Sequence, residues 1–116
     1  MKELFELFKK LGYDEKYFRQ GSLTSDTWPE HFFTYFNIDT PGTAYRDNKL
    51  TQYSVNIVVY FYSIDSEFVY EEMDRFEKEA RKNNFIVQGK SYDTPSGRTD
   101  YFGRLINIRK LYKEVN

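Results

Sequence analysis

The sequence contains no cysteine, a single histidine and no surplus of either charge. Without cysteine there can be no disulfide framework, no thiolate metal site and no thiol nucleophile. The same absence suits a reducing compartment. One histidine and no cysteine exclude the usual zinc ligand sets. That histidine, His31, stands at the start of an alternating segment, where a lone imidazole reads as structural or solvated. Lysine and arginine number 17 and aspartate and glutamate 18, a net charge of −1. Residues 1–50 carry 7 basic and 8 acidic side chains and residues 51–116 carry 10 and 10, so neither half is a basic arm. A general nucleic-acid binder carries a basic excess, and specific nucleic-acid binding is not expected here. No apolar run approaches the ~20 residues of a membrane span. Glu3 and Glu6 interrupt the first apolar stretch, unlike a secretory signal. The expectation is a chain that is intracellular when made and has no membrane partner.

Motifs that carry chemistry are also missing. There is no Gly-x-Ser-x-Gly elbow. Pro41-Gly42-Thr43 and Pro95-Ser96-Gly97-Arg98 lack phosphate-loop spacing and read as ordinary turns. Glu71, Glu72 and Asp74 cluster on one helix, and Asp14-Glu15 follow Gly12. Glycoside hydrolysis needs two carboxylates facing across a cleft, whereas neighbours on one helix face read as solvated. No catalytic, cofactor-binding or metal-binding residue is assigned, no cofactor is expected, and the chain reads as a non-enzyme.

What is abundant is aromatic: eleven Tyr, eleven Phe and one Trp make 20% of the 116 residues. Tyrosine and tryptophan pair an apolar body with a polar tip, so copies beyond the needs of one small core suit protein interfaces. The alternative is cross-strand packing on a sheet face.

Length fits one domain over residues 1–116. Leu4, Phe5, Leu7, Phe8 and Leu11 form one stripe of a short helix that Gly12 stops. Tyr17 to Gln20 reads as a short strand. His31 to Asp39 alternates, with Phe32, Phe36 and Ile38 as one apolar face and His31, Phe33, Tyr35 and Asn37 on the other. Pro41-Gly42 opens a polar loop through Leu50, in which Asp47-Asn48 can turn a long hairpin. Gln52 to Ser63 is the clearest strand: Tyr53, Val55, Ile57, Val59 and Phe61 face one way, and Ser54, Asn56, Val58, Tyr60 and Tyr62 the other. Asp65 or Ser66 caps a second helix bearing Phe68, Val69, Met73, Phe76 and Ala80 on one face. Glu71–Arg75, Asp74–Lys78 and Glu77–Arg81 are spaced for ion pairs on it. Asn83-Asn84 end it. Phe85–Tyr92 and Tyr101–Tyr112 read as the last strands, separated by a turn-rich Asp93–Asp100 segment. Arg104 shares a side with Phe102, Ile106 and Ile108, which predicts a bulge or register change. Arg104, Arg109, Lys110 and Lys113 make the last strand locally basic, which reads as protection of an edge strand, with contact to an acidic partner or nucleic acid as the alternative. The fold class is therefore α+β: about five mostly antiparallel strands with two helices on one face, in the order α-β-β-β-α-β-β.

Several stretches, taken in order, resemble a family of small proteins from the tail-assembly regions of siphophages and prophages of Gram-positive bacteria. They are Met1 to Tyr13, Gln20-Gly21-Ser22-Leu23, Trp28-Pro29 with Phe32 to Phe36, and Asp47-Asn48-Lys49. Tyr60-Phe61-Tyr62-Ser63, Phe85 to Lys90, and Thr99 to Arg104 complete them. Glu15-Lys16 lengthen the segment before the first strand relative to that pattern. The resemblance implies a tail terminator, tail-completion or head–tail joining protein, an α+β subunit of a hexameric ring at the head-proximal end of the tail. It implies contacts with other copies of the chain, with the tail tube and with the head connector. It places the protein in the bacterial host cytoplasm during assembly and then in the virion tail. Candidate interface residues are Tyr45, Arg46, Lys49 and Arg98 in the polar loops, and Tyr60 and Tyr62 on the second face of the long strand. A small monomeric adaptor or inhibitor domain is the alternative reading. An enzyme with an unrecognised carboxylate site is a third.

Overall fold

A computed structural model describes residues 1–38, 44–46 and 49–113, with backbone alone at 25, 44–46, 49–53 and 113. The elements are α1 (Lys2–Lys10), β1 (Tyr17–Arg19), a 3-10 turn (Ser25–Thr27), β2 (His31–Ile38), β3 (Ala44–Arg46), β4 (Lys49–Ser63), α2 (Ser66–Lys82), β5 (Ile86–Thr94) and β6 (Phe102–Lys113). The architecture is α+β, as the sequence predicts. The strands run in the order β1-β2-β4-β6-β5, and β3 pairs with β4. Every pairing is antiparallel except β1 with β2.

Both helices end for a local chemical reason. Past Lys10, the Gly12 N–H donates to Lys9 O and the Tyr13 N–H to Phe8 O, a paired C-terminal cap that requires a left-handed residue. Gly12 supplies it at φ 98. Asn84 does the same after α2 at φ 67, with Phe85 N–H donating to Ala80 O. At the other end of α2, Asp65 Oδ1 accepts from the Glu67 and Phe68 amides at 2.9 and 3.2 Å. This is a side-chain N-cap.

One face of the sheet is covered by helices. Ile57, Val59 and Phe61 of β4, Phe33 of β2, and Ile106 and Ile108 of β6 meet Leu4, Leu7, Phe8, Val69, Met73, Phe76 and Ala80 there. Phe33 lies 4.7 Å from Phe61, 4.9 Å from Phe8 and 5.3 Å from Phe76, centroid to centroid.

Four expectations are corrected. The core face of β2 is that of Phe33 and Tyr35. Phe36 and Ile38 are exposed on the other side, because Phe33 pairs with Phe61 and Phe36 with Val58. β6 keeps continuous register with β4, and the irregularity lies on β5 between Gln88 and Tyr92. Arg104 is accommodated instead at the margin of the helix layer, by Tyr70 and Asp93. β6 lies between β4 and β5 as far as Arg109, so Arg104 and Arg109 do not guard an edge, whereas Lys110 and Lys113 lie past the last β5 pairing, where β6 is paired with β4 alone. Finally, the segment expected as a loop holds β3, whose Arg46 pairs with Lys49. Asp39, the Thr40–Thr43 stretch with Pro41-Gly42, and the Asp47-Asn48 turn lie outside the described residues.

Ile57→Ala removes a buried side chain and is expected to cost about 2–5 kcal/mol. Phe36→Ala, at a half-exposed position, is expected to cost under about 1 kcal/mol. Urea unfolding of both variants checks this. A Phe36→Ala penalty as large as that of Ile57→Ala would mean the helices cover the wrong face.

Candidate protein interface

The pairing register sorts the side chains opposite the helices. Phe32, Thr34, Phe36 and Ile38 share that face with Tyr62, Tyr60, Val58 and Asn56 of β4. Gly103, Leu105, Asn107, Arg109 and Leu111 of β6 continue it, as do Ile86, Gln88, Tyr92 and Thr94 of β5. We call this the open face.

One end of the open face is closed by the chain itself. Leu23 and Trp28 fold over Phe32, Tyr62 and Tyr101 in a second aromatic cluster. Tyr101 Oη donates to the carbonyls of Trp28 and Pro29 at 3.2 and 2.8 Å, which fastens the β5–β6 connection to the segment before β2. Gly103 lies directly beneath: a Cβ there would stand 2.8 Å from the Tyr62 ring and 2.9 Å from Thr94 O. Only glycine lets that ring lie flat on β6. Gln20 joins the cluster, accepting from the Thr34 hydroxyl and donating to Tyr62 Oη.

The rest of the face is covered only in part: Val58 and Leu105 at its middle are buried, at 9% and 8% exposure. Phe36, Ile38, Ile86, Tyr92 and Leu111 are all exposed there, between 38% and 52%. Arg109 stands among them, its Nε enclosed with no hydrogen-bond partner.

The predicted interface residues separate accordingly. Tyr60 lies on the open face, stacked on Tyr62 at 6.1 Å. Tyr62 is 4% exposed, so it closes the second cluster and presents almost no surface. Arg98 lies 5.3 Å and 4.9 Å from the Trp28 and Tyr101 rings and is forked onto Asp100 at 2.9 and 2.7 Å. Those contacts tie it to its own fold. The backbones of Tyr45, Arg46 and Lys49 lie in β3 and at the start of β4, while their side chains are outside the described residues. The residues the sequence reading missed are Phe36, Ile38, Ile86, Tyr92 and Leu111. Strand order reveals them, and strand order is not written in alternation.

A second exposed group occupies the opposite end and the helix side. Tyr70 on α2 donates to Asp93 Oδ2 at 2.9 Å, and Arg104 Nη1 donates to Asp93 Oδ1 at 2.7 Å while lying 4.5 Å from the Tyr70 ring. The hydrogen bond from Tyr70 and then that from Arg104 hold the Asp93 carboxyl below its ordinary range. Phe102, Val69 and Tyr70 line a groove of about 280 Å³ beside this cluster.

The polar groups that could suggest catalysis also hold the fold together, and Tyr13, Lys16, His31, Glu72 and Arg75 line a pocket of about 360 Å³. Glu72 was expected on a solvated helix face, yet it is 7% exposed. Its carboxylate accepts from the Tyr13 hydroxyl and from Arg75 Nε and Nη2 at 2.7 and 2.8 Å. Arg75 also donates to Leu11 O at 2.7 Å, so the expected Glu71–Arg75 pair gives way to Glu72–Arg75. The other two predicted pairs form, Lys78–Asp74 at 3.1 Å and Arg81–Glu77 at 3.6 Å. The network joins the end of α1 to the middle of α2. His31 Nδ1 shares a 2.7 Å hydrogen bond with Ser63 Oγ, which also accepts from the Asp65 amide at 3.0 Å. Ser63 is fully buried, so this pair fastens β2 to the turn into α2 and offers no reachable nucleophile. Among the described residues, no group of three or more His, Asp or Glu side chains is placed to hold a metal ion. Among the described residues, no helix is long and apolar enough to cross a membrane.

Burial, and then the hydrogen bond to Glu72, raise the Tyr13 phenol above the ordinary tyrosine range. The folded chain therefore holds this proton more tightly than the unfolded one. The resulting stability is complete below the unfolded tyrosine pKa of about 10 and is lost as pH rises through the higher folded value. Tyr13→Phe is expected to cost about 1–3 kcal/mol at neutral pH and to flatten the alkaline limb of stability against pH. Urea unfolding across pH 8 to 11 checks it, and an unchanged alkaline limb would mean another group is responsible.

Compared with known proteins, the chain matches no family model and no curated sequence.

Proposed function

We propose that this chain is a non-enzymatic structural subunit of a phage or prophage tail, occupying a ring at the head-proximal end as a tail terminator, tail-completion or head–tail joining protein. The observation that carries this reading is the partly covered apolar end of the open face. Five exposed large apolar side chains on one sheet face suit a surface that meets another protein. The near-whole-length resemblance to tail-assembly proteins supplies the kind of assembly. In that setting the partners are further copies of the chain, the tail tube and the head connector. The site of action is the host cytoplasm and then the virion. A subunit of this kind acts by occupying a position, with no cofactor and no turnover. A net charge of −1 favours a ring through which DNA slides, because each gripped phosphate needs a lysine or arginine.

The test is deletion of the gene from its prophage, followed by electron microscopy of induced particles. Loss of a terminator gives tails of abnormal length that fail to join heads. Loss of a joining protein gives tails of normal length beside separate filled heads. Normal infectious particles would contradict the proposal.

A further inference from the structure

Among the described residues, the large apolar side chains that remain exposed fall into two groups. Phe36, Ile38, Ile86, Tyr92 and Leu111 lie on the open face, while Ile64, Tyr70 and Phe102 lie at the far end of the sheet near the start of α2. We infer that the subunit binds a second copy of itself head to tail, with the open face of one copy seated on the Tyr70–Phe102 groove of the next. This rests on the ring reading above and names the two surfaces that such a ring would join.

The first argument is geometric. Phe102 and Leu111 stand near opposite ends of β6 and, by their register against Ser63 and Ser54, on opposite faces of the sheet. Nine residues of strand separate them by about 30 Å. One chain cannot fold these surfaces onto each other, so whatever covers them comes from another molecule. The open patch spans β2, β4, β6 and β5 from the Leu105 row to the Arg109 row, and Leu111 extends it on β6 beside Ser54 of β4. At ordinary strand spacings the four-strand part is roughly 14 by 13 Å, on the order of 200 Å² before side-chain relief. Soluble chains ordinarily carry apolar patches up to a few hundred Å², and these are often functional.

The second argument is charge. Outside the β5 irregularity, Arg109 is the one charged residue among the open-face strand positions whose side chains are described. The groove end carries an acidic excess: Glu67 and Glu71 are exposed on the same side of α2 as Tyr70, beside the paired Asp93 and Arg104. Placing the open face on the groove of a second copy brings the Arg109 guanidinium toward carboxylates. Packing the open face on itself would instead offer Arg109 no carboxylate from the described strand positions of that face and would leave the groove uncovered. Complementarity therefore favours two different surfaces over a two-fold contact. That is the kind of contact from which rings are built.

The chain contains no cysteine, so an introduced thiol is unique. Ile86→Cys marks the open face and Phe102→Cys marks the groove, at positions 38% and 47% exposed, where neither change removes core packing. Each variant, an equimolar mixture and the double variant are treated with a short bis-maleimide, and circular dichroism confirms the fold of each. The expected result is no cross-linked product from either single variant, a two-subunit product and nothing larger from the mixture, and a ladder of higher multiples from the double variant. Cross-linking of Ile86→Cys with itself would overturn the inference in favour of a two-fold contact. Absence of product from the mixture and of a ladder from the double variant would overturn it outright. Either failure leaves the deletion phenotype standing as evidence on the tail reading. Normal particles from the deletion strain would remove that reading while leaving any cross-links in place.

Discussion

The packing of Phe8, Phe33, Phe61 and Phe76 against one another is the contact on which the rest of the molecule depends. It brings both helices to the same side of the sheet and commits Ile57, Val59, Ile106 and Ile108 to that side. A sheet covered on one face only must solve the other face differently. Here half of it is solved within the chain, by Trp28, Phe32, Tyr62 and Tyr101, and half is left partly open. The functional reading follows from that asymmetry.

Polar chemistry in the chain serves the same packing. The cap at Gly12 turns the backbone so that Tyr13 enters the core edge-on to Phe33 and Phe61, 4.9 and 5.6 Å away. A buried phenol needs a partner, and Glu72 supplies it. A buried carboxylate needs more than a phenol, and Arg75 reaches over from the same helix while its other bond goes to Leu11 O. His31 and Ser63 play a comparable part at the turn into α2. Groups bonded to one another in this way act as a joint between elements, beside a pocket of about 360 Å³ that they line.

The sequence showed some of this readily. Period-two alternation from Gln52 to Ser63 and the caps at Asp65 and Asn84 fix β4 and α2, because each signal is local. β2 was harder, since Phe32 and Phe33 are adjacent and each is fully buried, one on each face. Alternation cannot say which of two aromatic faces meets the helices, and pairing with β4 decides it. Glu72 looked solvated because its partner Tyr13 is 59 residues away. The exposed patch was invisible for the same reason: it gathers residues from β2, β5 and β6, and only the strand order makes them neighbours. The large aromatic content, which suggests surface, turns out to serve two internal clusters first. Of the described phenylalanines and tyrosines, Phe36, Tyr70, Tyr92 and Phe102 are the ones left exposed.

The account stands on the claim that these exposed aromatics are covered by neighbouring copies in the assembled state. Hydroxyl-radical footprinting of the free subunit and of assembled tails tests it most directly, because aromatic side chains are oxidised in proportion to their exposure. The account predicts that Phe36 and Tyr92 on the open face, and Tyr70 and Phe102 at the groove, lose reactivity together in the particle. Equal reactivity of all four in the free and assembled states would contradict it.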